Sequence, residues 1–93
     1  MKIDFQTEDD KIFSSDKSGT MIAEITFPKI NENTVDINHT FVDPSLRGRG
    51  VADKLMCAAV DVISSRKWHT YVSCPYARKW FSHHPEYQHL LRS

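Results

Sequence analysis

Four residue types in this chain stand where they could do chemistry: glycine, arginine, cysteine and histidine. Gly48 and Gly50 lie in Ser45-Leu46-Arg47-Gly48-Arg49-Gly50-Val51-Ala52, between an alternating run over 34–42 and a segment with helical apolar spacing. A strand that enters a helix through glycines can bring its backbone close to a ligand, and the first amides of that helix have no intrahelical partner. With the positive end of the helix dipole, those amides favour an anion. Arg47 and Arg49 add charge where a di- or triphosphate would lie. Two spaced glycines describe an ordinary tight turn equally well, so the motif by itself names no ligand. A kinase-type phosphate loop is excluded, because Val51 and Ala52 stand where it needs Lys-Ser/Thr. A dinucleotide fingerprint fits poorly, because its third glycine would fall at Asp53.

Cys74 precedes Pro75, a favoured first helical residue, so the thiol falls just before a helix start. There it meets the positive end of the helix dipole, with Arg78 or Lys79 to add to it, which suits a reactive thiol. The alternative role is a small buried packing residue. His39 keeps the two-residue period of Val35, Ile37 and Phe41, which predicts it on the apolar face of its strand. In that place it is either a partly buried histidine bonded to a backbone carbonyl or a proton carrier. Cys57 falls on a polar helix arc with Asp53, Asp61 and Ser64 and reads as an incidental thiol. The adjacent His83 and His84 cannot pair as an i, i+4 metal site, and no Cys/His spacing has a zinc pattern. No metal is expected.

The elements that must position these groups follow from periodicity. Lys2-Ile3-Asp4-Phe5-Gln6 and Lys11-Ile12-Phe13-Ser14 alternate as two antiparallel strands across the polar connection Thr7-Glu8-Asp9-Asp10. A turn cluster over 14–19 leads to a richer strand over 20–27, ended by Pro28. Residues 30–33 turn the chain into the 34–42 strand. From about 49 to 66 the chain reads as one helix, with Val51, Ala52, Leu55, Ala59, Val62 and Ile63 gathered toward the sheet. Trp68-His69-Thr70-Tyr71-Val72-Ser73-Cys74 then returns as a strand parallel to 34–42, a right-handed crossover that brings the glycine loop and Cys74 to the same edge. A last helix follows Pro75 and ends at Pro85, after which 86–91 form a short turn packed through Tyr87, Leu90 and Leu91. The fold class is α+β: an antiparallel meander leading into a strand, glycine loop, helix and parallel strand, with a C-terminal helix.

Bulk properties bound the function. Ninety-three residues with 40 % apolar content make one small domain over 1–93, with a single core. Twelve basic residues balance twelve acidic ones, so nothing global argues for nucleic acid or an anionic membrane surface. No apolar run has the length of a membrane span and the start does not resemble a signal peptide, so a cytoplasmic location is expected. The two cysteines are too few for a disulfide scaffold. With no sticky helix face in view, the expectation is a monomer.

The 45–52 stretch resembles the pyrophosphate loop of the GNAT superfamily of acetyl-CoA-dependent N-acetyltransferases, Gln/Arg-x-x-Gly-x-Gly/Ala. Gly48 and Gly50 match its glycines, and Ser45 stands where the family usually has Gln or Arg. Asn38-His39-Thr40-Phe41-Val42, Ser73-Cys74-Pro75-Tyr76 and His84-Pro85-Glu86-Tyr87 extend the likeness to a compact GNAT subfamily and over most of the chain. The resemblance implies acetyl-CoA as cofactor and acetyl transfer to a primary amine, the acceptor remaining open between a protein lysine, a polyamine and a small metabolite. It implies Cys74 as the active-site thiol with His39 as its polar partner. It places Phe41, Val42, Arg47, Gly48, Arg49, Gly50, Val51 and Ala52 on the cofactor, with Tyr76 and Lys79 beside its pantetheine arm. Two chemistries stay open, an acetyl group carried by Cys74 and direct attack of the amine on acetyl-CoA. The compact form lacks the segments with which larger relatives build an acceptor pocket, so a non-enzymatic CoA-binding or regulatory module is the alternative.

Overall fold

The computed structural model describes residues 3–92. Its elements run β1 (Gln6–Thr7), β2 (Lys11–Ser15), β3 (Met21–Thr26), β4 (Lys29–Asn31), β5 (Thr34–Ile37), β6 (His39–Val42), α1 (Val51–Ser65), β7 (His69–Val72) and α2 (Pro75–Ser82). Short stretches of 3-10 helix occupy Pro44–Leu46 and Pro85–Leu90. Of the expected first strand only Gln6 is paired, together with Thr7 from the expected connection, and Met1 and Lys2 lie outside the described residues. Lys29–Asn31, read from sequence mainly as a turn, is a short exposed edge strand instead.

The strands form two sheets in place of one: a four-stranded antiparallel sheet ordered β1-β2-β3-β6, and a three-stranded sheet ordered β4-β5-β7. The division falls at Asn38. Up to Ile37 the chain pairs in parallel with β7, from Thr34 opposite His69 to Ile37 opposite Val72. From His39 onward it pairs with β3. At the break the Thr26 hydroxyl donates to the Asn38 side-chain oxygen, and the Asn38 N–H reaches the Thr26 carbonyl at 3.3 Å. The inserted residue shifts the inward phase by one position, as a bulge does. Hence β6 turns Thr40 and Val42 to the inside, with Ala23 and Ile25 opposite Val42 and Thr40 in register.

α1 crosses from β6 back to β7 and packs on the sheets through Val51, Leu55, Met56, Ala59, Val60 and Ile63, all buried. Met56 and Val60 stand in the core where Ala52 and Val62 were expected; those two are half-buried. Burying a side chain of Leu, Ile or Met size stabilises the fold by about 1.5–3 kcal/mol, so this stripe is what holds the helix on the sheets. The helix ends in a Schellman turn. Trp68 N–H reaches the Ile63 carbonyl, Lys67 N–H reaches the Ser64 carbonyl, and Lys67 takes φ +60°, a place usually given to glycine.

Candidate functional site

Beyond Ile37 the partners part company, and a gap opens between β6 and β7. Its vertex is tied shut. The Ile37 carbonyl accepts from both Ser73 N–H and Cys74 N–H at 3.1 Å, and the Asp36 carboxylate accepts the Ser73 amide and hydroxyl. The open side of the gap leads into a cleft of about 440 Å³ lined from β6, the glycine loop, the start of α1 and the start of α2.

The loop side of the cleft is shaped by turn chemistry. Asp43 accepts from the Ser45 hydroxyl and amide, which starts the Pro44–Leu46 turn and holds the Asp43 carboxyl below the usual carboxylate range. The Ser45 hydroxyl is therefore committed to the turn. Gly48 and Gly50 take φ +81° and +73°, a left-handed backbone that costs other residues about 1–2 kcal/mol. Gly50 is the residue before α1 and brings no side-chain cap, and Lys54 N–H is bonded to the Gly50 carbonyl at 3.1 Å. The amides of residues 50–53 precede the first full helical bond and remain for an external acceptor.

The β6 side offers backbone as well. Asp43 N–H bonds the Ile22 carbonyl, which sets the antiparallel phase: residues 39, 41 and 43 turn their amides and carbonyls to β3. By alternation Thr40 and Val42 turn theirs to the gap. Such an edge inside a fold is an acceptor for a ligand that carries its own amides.

Cys74 lies at the vertex, 6 % exposed, as the residue before α2. Its sulfur is 3.6 Å from the Thr40 hydroxyl, the polar side-chain contact of the thiol among the described residues. Tyr76, two residues on, lines the cleft with 39 % of its surface exposed. Its phenol is pushed up, first by burial and then by the charge of Asp53.

Of the residues singled out in the sequence, Val42, Arg47, Gly48, Gly50, Val51, Ala52 and Tyr76 line this cleft. Arg49 instead borders a neighbouring depression with Ile3, Val51 and Lys54. Lys79 is exposed on α2 away from the lining. Phe41 and His39 need correction. The phase shift at Asn38 puts both on the outer face of the four-stranded sheet, in register with Glu24 and Thr26. His39 is not on the apolar side; it is exposed and reaches Glu24, with Nε2 at 3.7 Å from Oε1. The partner of Cys74 is Thr40. Sequence reading missed Thr40, Leu46 and Asp53 as lining residues. For Thr40 the signal was its two-residue spacing from Val42, and for Asp53 its place in the first turn of α1. Among the described residues no group of three His, Cys, Asp or Glu is close enough to hold a metal ion. No helix among them is long and apolar enough to cross a membrane.

The chain joins a split between two strands to a glycine-led helix, and its sequence places it in a family. It belongs to the GCN5-related N-acetyl-transferases, whose sequence profile matches residues 8–90. Protein NATD1 of Xenopus tropicalis is 33 % identical over 70 residues, covering 75 % of this chain and 64 % of that protein. NATD1 of Homo sapiens is 31 % identical over 70 residues, covering 75 % and 62 %. The chain thus spans a little under two thirds of the length of these relatives. The solution structure of a GCN5-like protein from Staphylococcus aureus superposes with a TM-score of 0.79 at 26 % identity, over 98 % of this chain and 89 % of that one. Escherichia coli YhbS, a GNAT-family N-acetyltransferase solved in complex with CoA, shares the fold at a TM-score of 0.55 and 20 % identity, over 66 % and 38 %.

Proposed function

We propose that this chain is an acetyl-CoA-dependent N-acetyltransferase acting on a primary amine. The observation that supports it is the order of groups along one cleft: the amides of residues 50–53, then the open edge of Val42 and Thr40, with the buried Cys74 thiol in contact with Thr40 at the end of that edge. CoA carries matching parts in the same order: a diphosphate, a pantetheine arm with two amides, and a terminal sulfur.

In this reading the 50–53 amides and Arg47 hold the diphosphate. The Thr40 and Val42 backbone groups pair with the arm as an added strand, and Leu46 and Val51 keep water from it. Bound acetyl-CoA supplies an acetyl thioester. Cys74 receives the acetyl group: its sulfur forms the new bond to the acyl carbon, the old acyl–sulfur bond breaks, and the thiol proton goes to the departing CoA sulfur. Thr40 holds the Cys74 sulfur in line through the 3.6 Å contact. The acceptor amine then takes the acetyl group from Cys74, and its proton restores the thiol.

Intact-mass measurement after incubation with acetyl-CoA, combined with an assay for amine-dependent release of free CoA, tests this. The expected result is one added acetyl group on wild type, none on Cys74→Ala, and loss of turnover in that variant. Unaltered turnover in Cys74→Ala would sink the covalent route and leave direct attack by the amine. CoA binding without any amine-dependent release would favour a CoA-binding module.

A further inference from the structure

We propose that the Trp80 indole holds the Asp53 carboxylate off the amides at the start of α1 and so keeps them free for a diphosphate. The inference rests on the reading of that helix start as the CoA diphosphate cradle. Asp53 is the acidic residue in the first turn of α1. An acid at this position ordinarily folds back onto the first-turn amides, drawn by their hydrogens and by the positive end of the helix. Gly50 supplies no side chain to compete for them. The natural self-cap of this helix is therefore Asp53, and a self-capped helix has spent the donors that an anion needs.

The carboxylate is diverted instead. Its Oδ1 accepts the Trp80 Nε1–H at 2.7 Å, a bond across 27 residues of sequence, and its Oδ2 lies 4.0 Å from the Cys57 sulfur. Burial, and then the charges of Asp53, Asp61 and Glu86, push the Cys57 thiol up. It therefore stays a protonated donor toward Asp53.

The indole is held in turn. Trp80 is 5 % exposed, His84 stacks on it with ring centroids 3.7 Å apart and planes 12° off parallel, and Tyr87 stacks at 5.5 Å. His84 Nδ1 is 2.6 Å from the Trp80 carbonyl, and the Gln88 amide donates to the Phe81 carbonyl. The His84-Pro85-Glu86-Tyr87 stretch thus clamps the ring whose N–H draws the carboxylate aside. Trp80 acts through Asp53 and is a positioning residue.

Calorimetric titration of the full chain with CoA and with S-acetylpantetheine, which has no diphosphate, tests the arrangement. Trp80→Phe should weaken CoA about tenfold and S-acetylpantetheine less than about twofold. Trp80→Phe combined with Asp53→Ala should bring CoA back to within about twofold of wild type, because no carboxylate remains to occupy the amides. A merely structural role for Trp80 would weaken both ligands and would not be rescued. Should Trp80→Phe fold poorly, placing benzothienylalanine at position 80 keeps the ring shape, replaces N–H by sulfur, and should give the same selective loss. Wild type that binds CoA with no change in Trp80→Phe, or a loss that Asp53→Ala does not repair, overturns the inference alone. Wild type that fails to bind CoA overturns it together with the cradle reading.

Discussion

The two helices both start at the cleft without a side-chain cap, and they start in opposite ways. α1 follows Gly50, whose left-handed backbone and missing side chain leave its first four amides without a side-chain cap. At α2 the Cys74 N–H is spent on the Ile37 carbonyl and Pro75 has none to give, so two of the four donors that α1 keeps are missing. What α2 presents is a sulfur. An uncapped helix start is thus not one kind of site. Glycine before it gives access to the backbone; cysteine-proline fixes a side chain at the same electrostatic position.

Removing what each start presents tests the contrast. Cys74→Ala should lower amine-dependent CoA release by roughly 100-fold or more while leaving CoA affinity within about threefold, measured by single-turnover kinetics beside calorimetry. Gly50→Val should do the reverse, weakening CoA about tenfold with a smaller effect on chemistry once the site is saturated. It should also lower the melting temperature by several degrees, about 4–8 °C per kcal/mol of strain. A Cβ at Gly50 meets no atom within 4 Å, so this loss would come from the backbone conformation and not from a clash. If Gly50→Val binds CoA as wild type does, the amides of α1 are not the cradle.

Tyr76 gives a test in pH. Its phenol is raised in the folded protein, chiefly by burial, so folding favours the neutral form. The associated stability is whole below the unfolded tyrosine value, near 10, and is lost as pH rises through the folded value. Urea midpoints of wild type and Tyr76→Phe, compared from neutral pH upward, should run parallel until the tyrosine range and then separate, the wild type falling faster. The smallest effect belongs to His39→Ala, expected within about twofold in turnover. His39 is the exposed half of its pair with Glu24, and a surface pair contributes roughly 0–1 kcal/mol; a drop beyond tenfold would return His39 to the chemistry.

The parts of this arrangement that local signals specify were legible in the sequence. The two glycines, the apolar stripe of α1 and Pro75 each act within a turn or two of their own position. The split at Asn38 was not. Val35, Ile37, His39 and Phe41 continue one alternation, no glycine or proline marks the break, and the competing phase through Thr40 and Val42 becomes visible only when β3 claims β6. That one-residue slip is why alternation alone puts His39 on the wrong face and passes over Thr40. The bond from Trp80 to Asp53 is tertiary and had no local signature. Tyr76 and Lys79 came from the family resemblance; Tyr76 lines the cleft, whereas Lys79, one turn farther along α2, lies beyond its lining.

The open edge of β6 also gives this strand two rates of exchange with solvent. Amides of residues 39 and 41 are bonded within the sheet, while those of 40 and 42 face the gap. In deuterated water the signals should vanish in alternation along four consecutive residues, the gap-facing pair in the fast set and its neighbours held back by the cost of opening the sheet. A ligand lying along the gap would slow the fast pair and erase the alternation.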